Sequence, residues 1–126
     1  MNKIILNNLK LKTFTEQDAL DYCLLNNINP LNITELYLSY NELTNISGIK
    51  LFKNLKILSL EKNQLTDISV IQYLKNLELL DIEILELKSD QIEYIKSLKK
   101  LKYLYCGNGF KDMNITNQLN KNIKLW

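Results

Sequence analysis

Sliding the sequence along itself by 22 residues superimposes Ile33, Leu36, Leu38, Asn41, Leu43, Ile46, Ile49 and Phe52 on Leu55, Leu58, Leu60, Asn63, Leu65, Ile68, Ile71 and Leu74. Self-similarity at that period means that each unit is one supersecondary turn, which buries its apolar face only by stacking on a neighbour. Such an array offers faces rather than an enclosed pocket, so function is expected on a surface.

The two units "ITELYLSYNELTNISGIKLFKN" and "LKILSLEKNQLTDISVIQYLKN" fit L-x-x-L-x-L-x-x-N-x-L and resemble the leucine-rich repeat family. Their length and ending are similar to internalin-type repeats. The resemblance implies an α/β solenoid, a short horseshoe with a parallel concave sheet. It also implies that Asn41 and Asn63 are buried at the turn and bond the backbone of the adjacent coil as a ladder. A third unit begins at Leu77 and keeps Leu80, Ile82 and Leu87, but carries Leu85 where the others have asparagine, which breaks the ladder there.

The sequence divides into an N-terminal cap (1–32), repeats at 33–54, 55–76, 77–100 and 101–122, and a terminal strand (123–126), all in one domain. Thr15 is expected to cap a helix whose Leu20, Cys23 and Leu24 cover the first coil, ahead of which "KIILNNLKLKTF" reads as an edge strand. In the third return segment, Ser89 is expected as N-cap of a helix that buries Ile92, Ile95 and Leu98. The fourth unit becomes irregular through Gly107, Asn108, Gly109 and Phe110. Counting 22 from Leu101 reaches Ile123 and sets Trp126 at the second apolar position of a last strand.

Composition narrows the chemistry. The absence of histidine removes Ser-His and His-based acid–base mechanisms, and three glycines without a phosphate-loop pattern leave no nucleotide motif, so no enzyme and no cofactor are expected. Cys23 and Cys106 fall on apolar positions and read as buried free thiols. All sixteen basic residues are lysine, which argues against specific nucleic-acid recognition. No apolar run reaches the length of a membrane span, and a cytoplasmic location is the expectation.

The repeat register sorts the charges. Residues between the core leucines point out of the concave sheet: Glu35, Tyr37, Ser39 and Tyr40, then Ile57, Ser59, Glu61 and Lys62, then Leu79, Asp81, Glu83 and Ile84, then Tyr103 and Tyr105, flanked by Glu42, Gln64 and Glu86. This gives six carboxylates and one lysine on that face, with Lys50, Lys53, Lys56, Lys75, Lys96, Lys99, Lys100 and Lys102 on the back and edges. Glu61 and Glu83 share a column about 4.8 Å apart. Like charges so placed are unfavourable in a merely solvated sheet, and tyrosines among them suit an interface.

The expected function is therefore protein binding. A monomer would hold a basic partner surface against Glu35, Tyr37, Tyr40, Glu42, Glu61, Lys62, Asp81, Glu83, Glu86, Tyr103 and Tyr105, with no membrane partner. One version is an inhibitor that fills the basic channel of a nucleic-acid enzyme, as phage-type anti-defence proteins do. Two alternatives are a scaffold subunit docking by its back or its C-terminal edge near Trp126, and a Ca²⁺ or Mg²⁺ site at Glu61, Asp81 and Glu83.

Overall fold

The computed structural model describes residues 2–107, 110 and 118–126. Asn108 and Gly109 lie outside the described residues. Six short strands form one parallel sheet in sequence order: β1 (Lys3–Ile5), β2 (Glu35–Tyr37), β3 (Ile57–Ser59), β4 (Leu79–Asp81), β5 (Tyr103–Tyr105) and β6 (Lys124–Leu125). Among the described residues, α-helices α1 (Glu16–Leu25) and α2 (Ile92–Lys96) and 3₁₀ turns at Ser47–Leu51 and Ser69–Tyr73 return the chain behind the sheet. It is an open solenoid.

The repeated leucines build the core. Ile4, Leu36, Leu58, Leu80 and Leu104 stand in one row across the sheet and are all buried. Ile49 and Ile71 from the 3₁₀ turns close the core from behind. Spacing three suits these turns, because side chains three apart eclipse on a 3₁₀ helix.

Asn41 and Asn63 form the ladder. The Asn63 Oδ1 accepts from the Leu43 N–H at 3.0 Å, and its Nδ2 donates to the Leu38 and Leu60 carbonyls, each at 3.0 Å. Asn41 does the same one coil earlier, accepting from the Leu9 and Leu11 N–H groups and donating to the Leu6 and Leu38 carbonyls. Leu85 packs into the core at the third equivalent place, 2% exposed. The turn survives the substitution: Ile84 keeps a left-handed φ of 56°, as Tyr40 (58°) and Lys62 (54°) do.

The expected edge strand and the helix opened by Thr15 are both present at the N-terminal end. Residues 3–5 pair with 35–37, and Thr13 pairs with Asn45. The segment is thus a coil of the array with a long return, in which α1 takes the place of a 3₁₀ turn. Thr15 caps α1 in a reciprocal capping box with Asp18. The buried face of α1 is Ala19 and Cys23, whereas Leu20 and Leu24 are 42% and 78% exposed and do not cover the core. Gly48 explains how closely α1 approaches: its N–H donates to the Phe14 carbonyl at 2.8 Å, and a Cβ there would sit 2.7 Å from the Thr15 carbonyl carbon.

Two further readings are corrected. Ser89 is not an N-cap; it opens a 3₁₀ turn that leads into α2, with Lys88 at the cap position and no side-chain cap bond. Ile92, Ile95 and Leu98 are buried as the spacing predicts. In β6, Leu125 rather than Trp126 faces Leu104. The last unit is one residue shorter than the 22-residue period, so the leucine enters the core row and the indole is left on the concave side. Cys23 and Cys106 are both buried free thiols.

Candidate functional site

Strand register arranges the concave face in columns. One runs Lys3, Glu35, Ile57, Leu79, Tyr103 and Lys124; the next runs Ile5, Tyr37, Ser59, Asp81 and Tyr105. The β5–β6 register extends the second column to Trp126, whose indole stacks on the Tyr105 ring with centroids 6.0 Å apart and planes 15° apart. Backbone bonds from the Tyr40 N–H to the Glu61 carbonyl and from the Lys62 N–H to the Glu83 carbonyl carry the same register onward. Glu61 and Glu83 are therefore cross-strand neighbours, and Tyr40, Lys62 and Ile84 line the lip.

The face is less uniformly acidic than the 22-residue register predicts. Lys3 lies 3.9 Å from Glu35, and Lys12 lies 3.5 Å from Glu42. Both lysines belong to the first coil, offset by about 30 residues rather than 22, and Lys124 brings a further cation to the opposite edge. Lys62 turns onto the Tyr40 ring, 5.5 Å from its centroid, a cation–π contact. Among the described residues, Glu61, Asp81 and Glu83 have no ion pair with a lysine, so the acidic patch contracts to these three.

Each of the three has a distinct setting. Glu61 accepts from the Tyr40 hydroxyl at 3.2 Å, and that bond raises the Tyr40 pKa. Asp81 is half-buried in the middle of the sheet and accepts from the Glu83 N–H at 3.1 Å. Burial pushes its carboxyl up to about 6, with Glu61 and Glu83 adding to the rise, against the bonds from Glu83 and Ser59 that favour its charged form. Ser39 and Ser59, expected to project outward, are instead buried at the floor of the face, where their hydroxyls bond each other.

The remaining candidates divide by position. Tyr37 donates to Glu35 at 2.6 Å, and burial first, then that carboxylate, raises its pKa to about 12. Tyr103 is 37% exposed in the first column, and Tyr105 lies under Trp126. Glu42 and Glu86 sit on the flank beyond the lip and do not join the Glu61, Asp81 and Glu83 group. Trp126, Ile84 and Ile5, each about 60% exposed, belong to the face; of these, Trp126 was hidden by the one-residue change of register.

Among the described residues no three His, Cys, Asp or Glu side chains are placed to hold a metal ion. The cation-site alternative thus has no ligand geometry behind it. The C-terminal edge alternative also changes, because Trp126 lies on the Tyr105 ring of the concave face rather than projecting from the edge. No helix among the described residues is long and apolar enough to cross a membrane.

A family model described as leucine-rich repeats (2 copies) matches residues 31–72. No curated protein matches the sequence. Among solved structures, an internalin (inlF) from Listeria monocytogenes is similar, with a TM-score of 0.70 and 22% identity over 99% of this chain and 34% of that one. An internalin C2 (inlC2) from the same organism has a TM-score of 0.57 and 27% identity over 79% of this chain and 46% of that one. This chain spans between a third and a half of the length of those two proteins, and the likeness is one of fold. With the asparagine ladder, the buried leucine rows and the parallel open sheet, it shows that residues 31–72 carry leucine-rich repeats and that the chain folds as a short solenoid similar to that of internalins.

Proposed function

We propose that this chain is a non-enzymatic protein-interaction module that holds a basic surface of another protein against Glu61, Asp81 and Glu83. Tyr40, Tyr105 and Trp126 supply amphipathic anchors around the carboxylates, the residue types that concentrate binding energy at interfaces. The observation that carries the reading is the uncompensated trio. The first-coil lysines pair with Glu35 and Glu42, yet the central carboxylates remain together with no ion pair among the described residues, and one of them is half-buried. An incoming lysine or arginine relieves the repulsion within the trio and stabilises the charged form of Asp81. Six strands span about 25 Å, enough for one helix or loop of a partner and close to the ~800 Å² of a standard interface.

The test compares wild type with the triple variant Glu61→Lys, Asp81→Lys, Glu83→Lys as baits in lysate of the source organism. Both baits are first shown by circular dichroism to fold alike, and the captured proteins are identified by mass spectrometry. A basic protein retained by wild type at low salt, lost at high salt and lost by the variant supports the face. A partner held equally by both baits refutes it. With the partner in hand, affinity should weaken as pH falls through about 6, where Asp81 takes up its proton.

A further inference from the structure

On the side where each coil enters the sheet, Lys56, Lys99, Lys100 and Lys102, with Asn76 and Glu78, line a groove of about 470 Å³. The repeat itself assembles this site. The Glu78 N–H donates to the Lys56 carbonyl and the Lys102 N–H to the Glu78 carbonyl, each at 2.8 Å. Lys56, Glu78 and Lys102 therefore form one column, each a single residue ahead of its strand. Lys99 and Lys100 join them from the turn that follows α2.

The charges in the groove are unequal. Glu78 meets the Lys102 ammonium at 2.6 Å, and Lys100 donates to the Asn76 side-chain carbonyl at 2.7 Å. Lys56 makes no ion pair among the described residues. Bonding and charge from Lys102, and then the charges of Lys56 and Lys100, hold the Glu78 carboxyl below its usual range despite some burial. One carboxylate thus serves at least three ammonium groups. With Lys99 on the rim, the groove carries a net charge of about +3.

The chemistry of the lining selects the ligand. Lysine is a compact point charge with three rotatable donors, suited to the dense charge and many acceptors of a phosphate, whereas planar carboxylates favour the arginine fork that this chain lacks. A few hundred cubic ångströms is the scale of a small-molecule site, and a lining of lysine heads and an asparagine amide is too polar for an apolar ligand. We propose that this groove binds a small ligand bearing two or more closely spaced phosphates, held by Lys56, Lys99, Lys100 and Lys102, with Glu78 as the resident anion that yields Lys102 to it. The site is separate from the concave face, so a module built this way can hold a protein and a polyphosphorylated ligand together.

The experiment is isothermal titration calorimetry of the full chain with inorganic tripolyphosphate, compared with citrate as a carboxylate polyanion of similar size. Tripolyphosphate should bind one to one, at least tenfold tighter than citrate. Lys99→Gln with Lys100→Gln should weaken it tenfold or more, and Glu78→Gln should tighten it several-fold. The concave variant Glu61→Lys, Asp81→Lys, Glu83→Lys should leave it unchanged. Co-sedimentation with vesicles then separates the sources of the ligand: selective capture by vesicles carrying a bisphosphorylated inositol lipid assigns a headgroup, and binding of free tripolyphosphate without vesicle capture assigns a dissolved one. The proposal is overturned by no heat at millimolar tripolyphosphate, by equal affinity for citrate, by full binding in the double lysine variant, or by equal capture on phosphatidylserine vesicles.

Discussion

Asn63→Ala isolates what the ladder contributes. The substitution removes four bonds to backbone groups, but the Leu38 carbonyl keeps the Asn41 amide at 3.0 Å and the Glu61 carbonyl keeps the Tyr40 N–H at 2.8 Å. The Leu43 N–H and the Leu60 carbonyl have no other protein partner among the described residues, and they lose the one they have. A buried polar group left unpaired costs about 1–3 kcal/mol. Two of them, with the small void left by the amide, give roughly 4 kcal/mol out of a domain stability of ~5–15 kcal/mol. At about 3–5 °C per kcal/mol for a chain of this size, the melting temperature should fall by roughly 12–20 °C. Urea titration followed by far-ultraviolet circular dichroism gives the loss directly, with exposed Asn32→Ala as the control. A loss below ~1 kcal/mol would refute the reasoning. Asn63→Leu should cost less than Asn63→Ala, because it recovers about 1.5–3 kcal/mol by burying the side chain that Leu85 already shows can occupy the slot.

Gly48→Ala should destabilise by at least about 2 kcal/mol, since the new Cβ meets the rigid backbone of Phe14 and Thr15 rather than a flexible side chain; a thermal melt unchanged from wild type would show that α1 can move aside. Asp81 gives a pH dependence of unusual sign for a carboxylate. Its folded pKa of about 6 lies above the ordinary aspartate value of 3.8, so the folded state binds the extra proton. Its contribution to stability is fully present below about pH 4 and is lost as pH rises through about 6. Asp81→Asn should therefore stabilise at neutral pH, by no more than about 1 kcal/mol after allowing for solvent screening of this half-exposed group, and flatten the stability profile between those limits. Equal profiles for the two proteins would sink the assignment.

Much of this molecule is legible in its sequence because a 22-residue period fixes both the core rows and the faces. The Glu61 and Glu83 column follows from spacing, and the buried ladder asparagines follow from the resemblance to leucine-rich repeats. What escapes is what departs from the period. The first coil returns after 32 residues, so its strand pairs with β2 while its lysines stay out of register, and Lys3 and Lys12 neutralise Glu35 and Glu42 unannounced. The last unit is short by one residue, and in a strand one residue moves a side chain from core to solvent; that alone transfers Trp126 to the concave face. The exposure of Leu24 is hidden for another reason, because helical spacing marks an apolar stripe but the close approach at Gly48 turns Ala19 and Cys23 inward instead.

The left-handed residues at the lip of the sheet have a consequence for how such a chain can change. Asn8, Tyr40, Lys62 and Ile84 all hold φ between 54° and 60°, a conformation that disfavours any side chain by about 1–2 kcal/mol relative to glycine. Glycine at these places would make a firmer solenoid and a bald rim. These four places instead carry an asparagine, a tyrosine, a lysine and an isoleucine, held by the same backbone irrespective of identity. Side chains of the rim can therefore be exchanged one at a time without disturbing the leucines beneath, and the surface is separable from the fold that displays it.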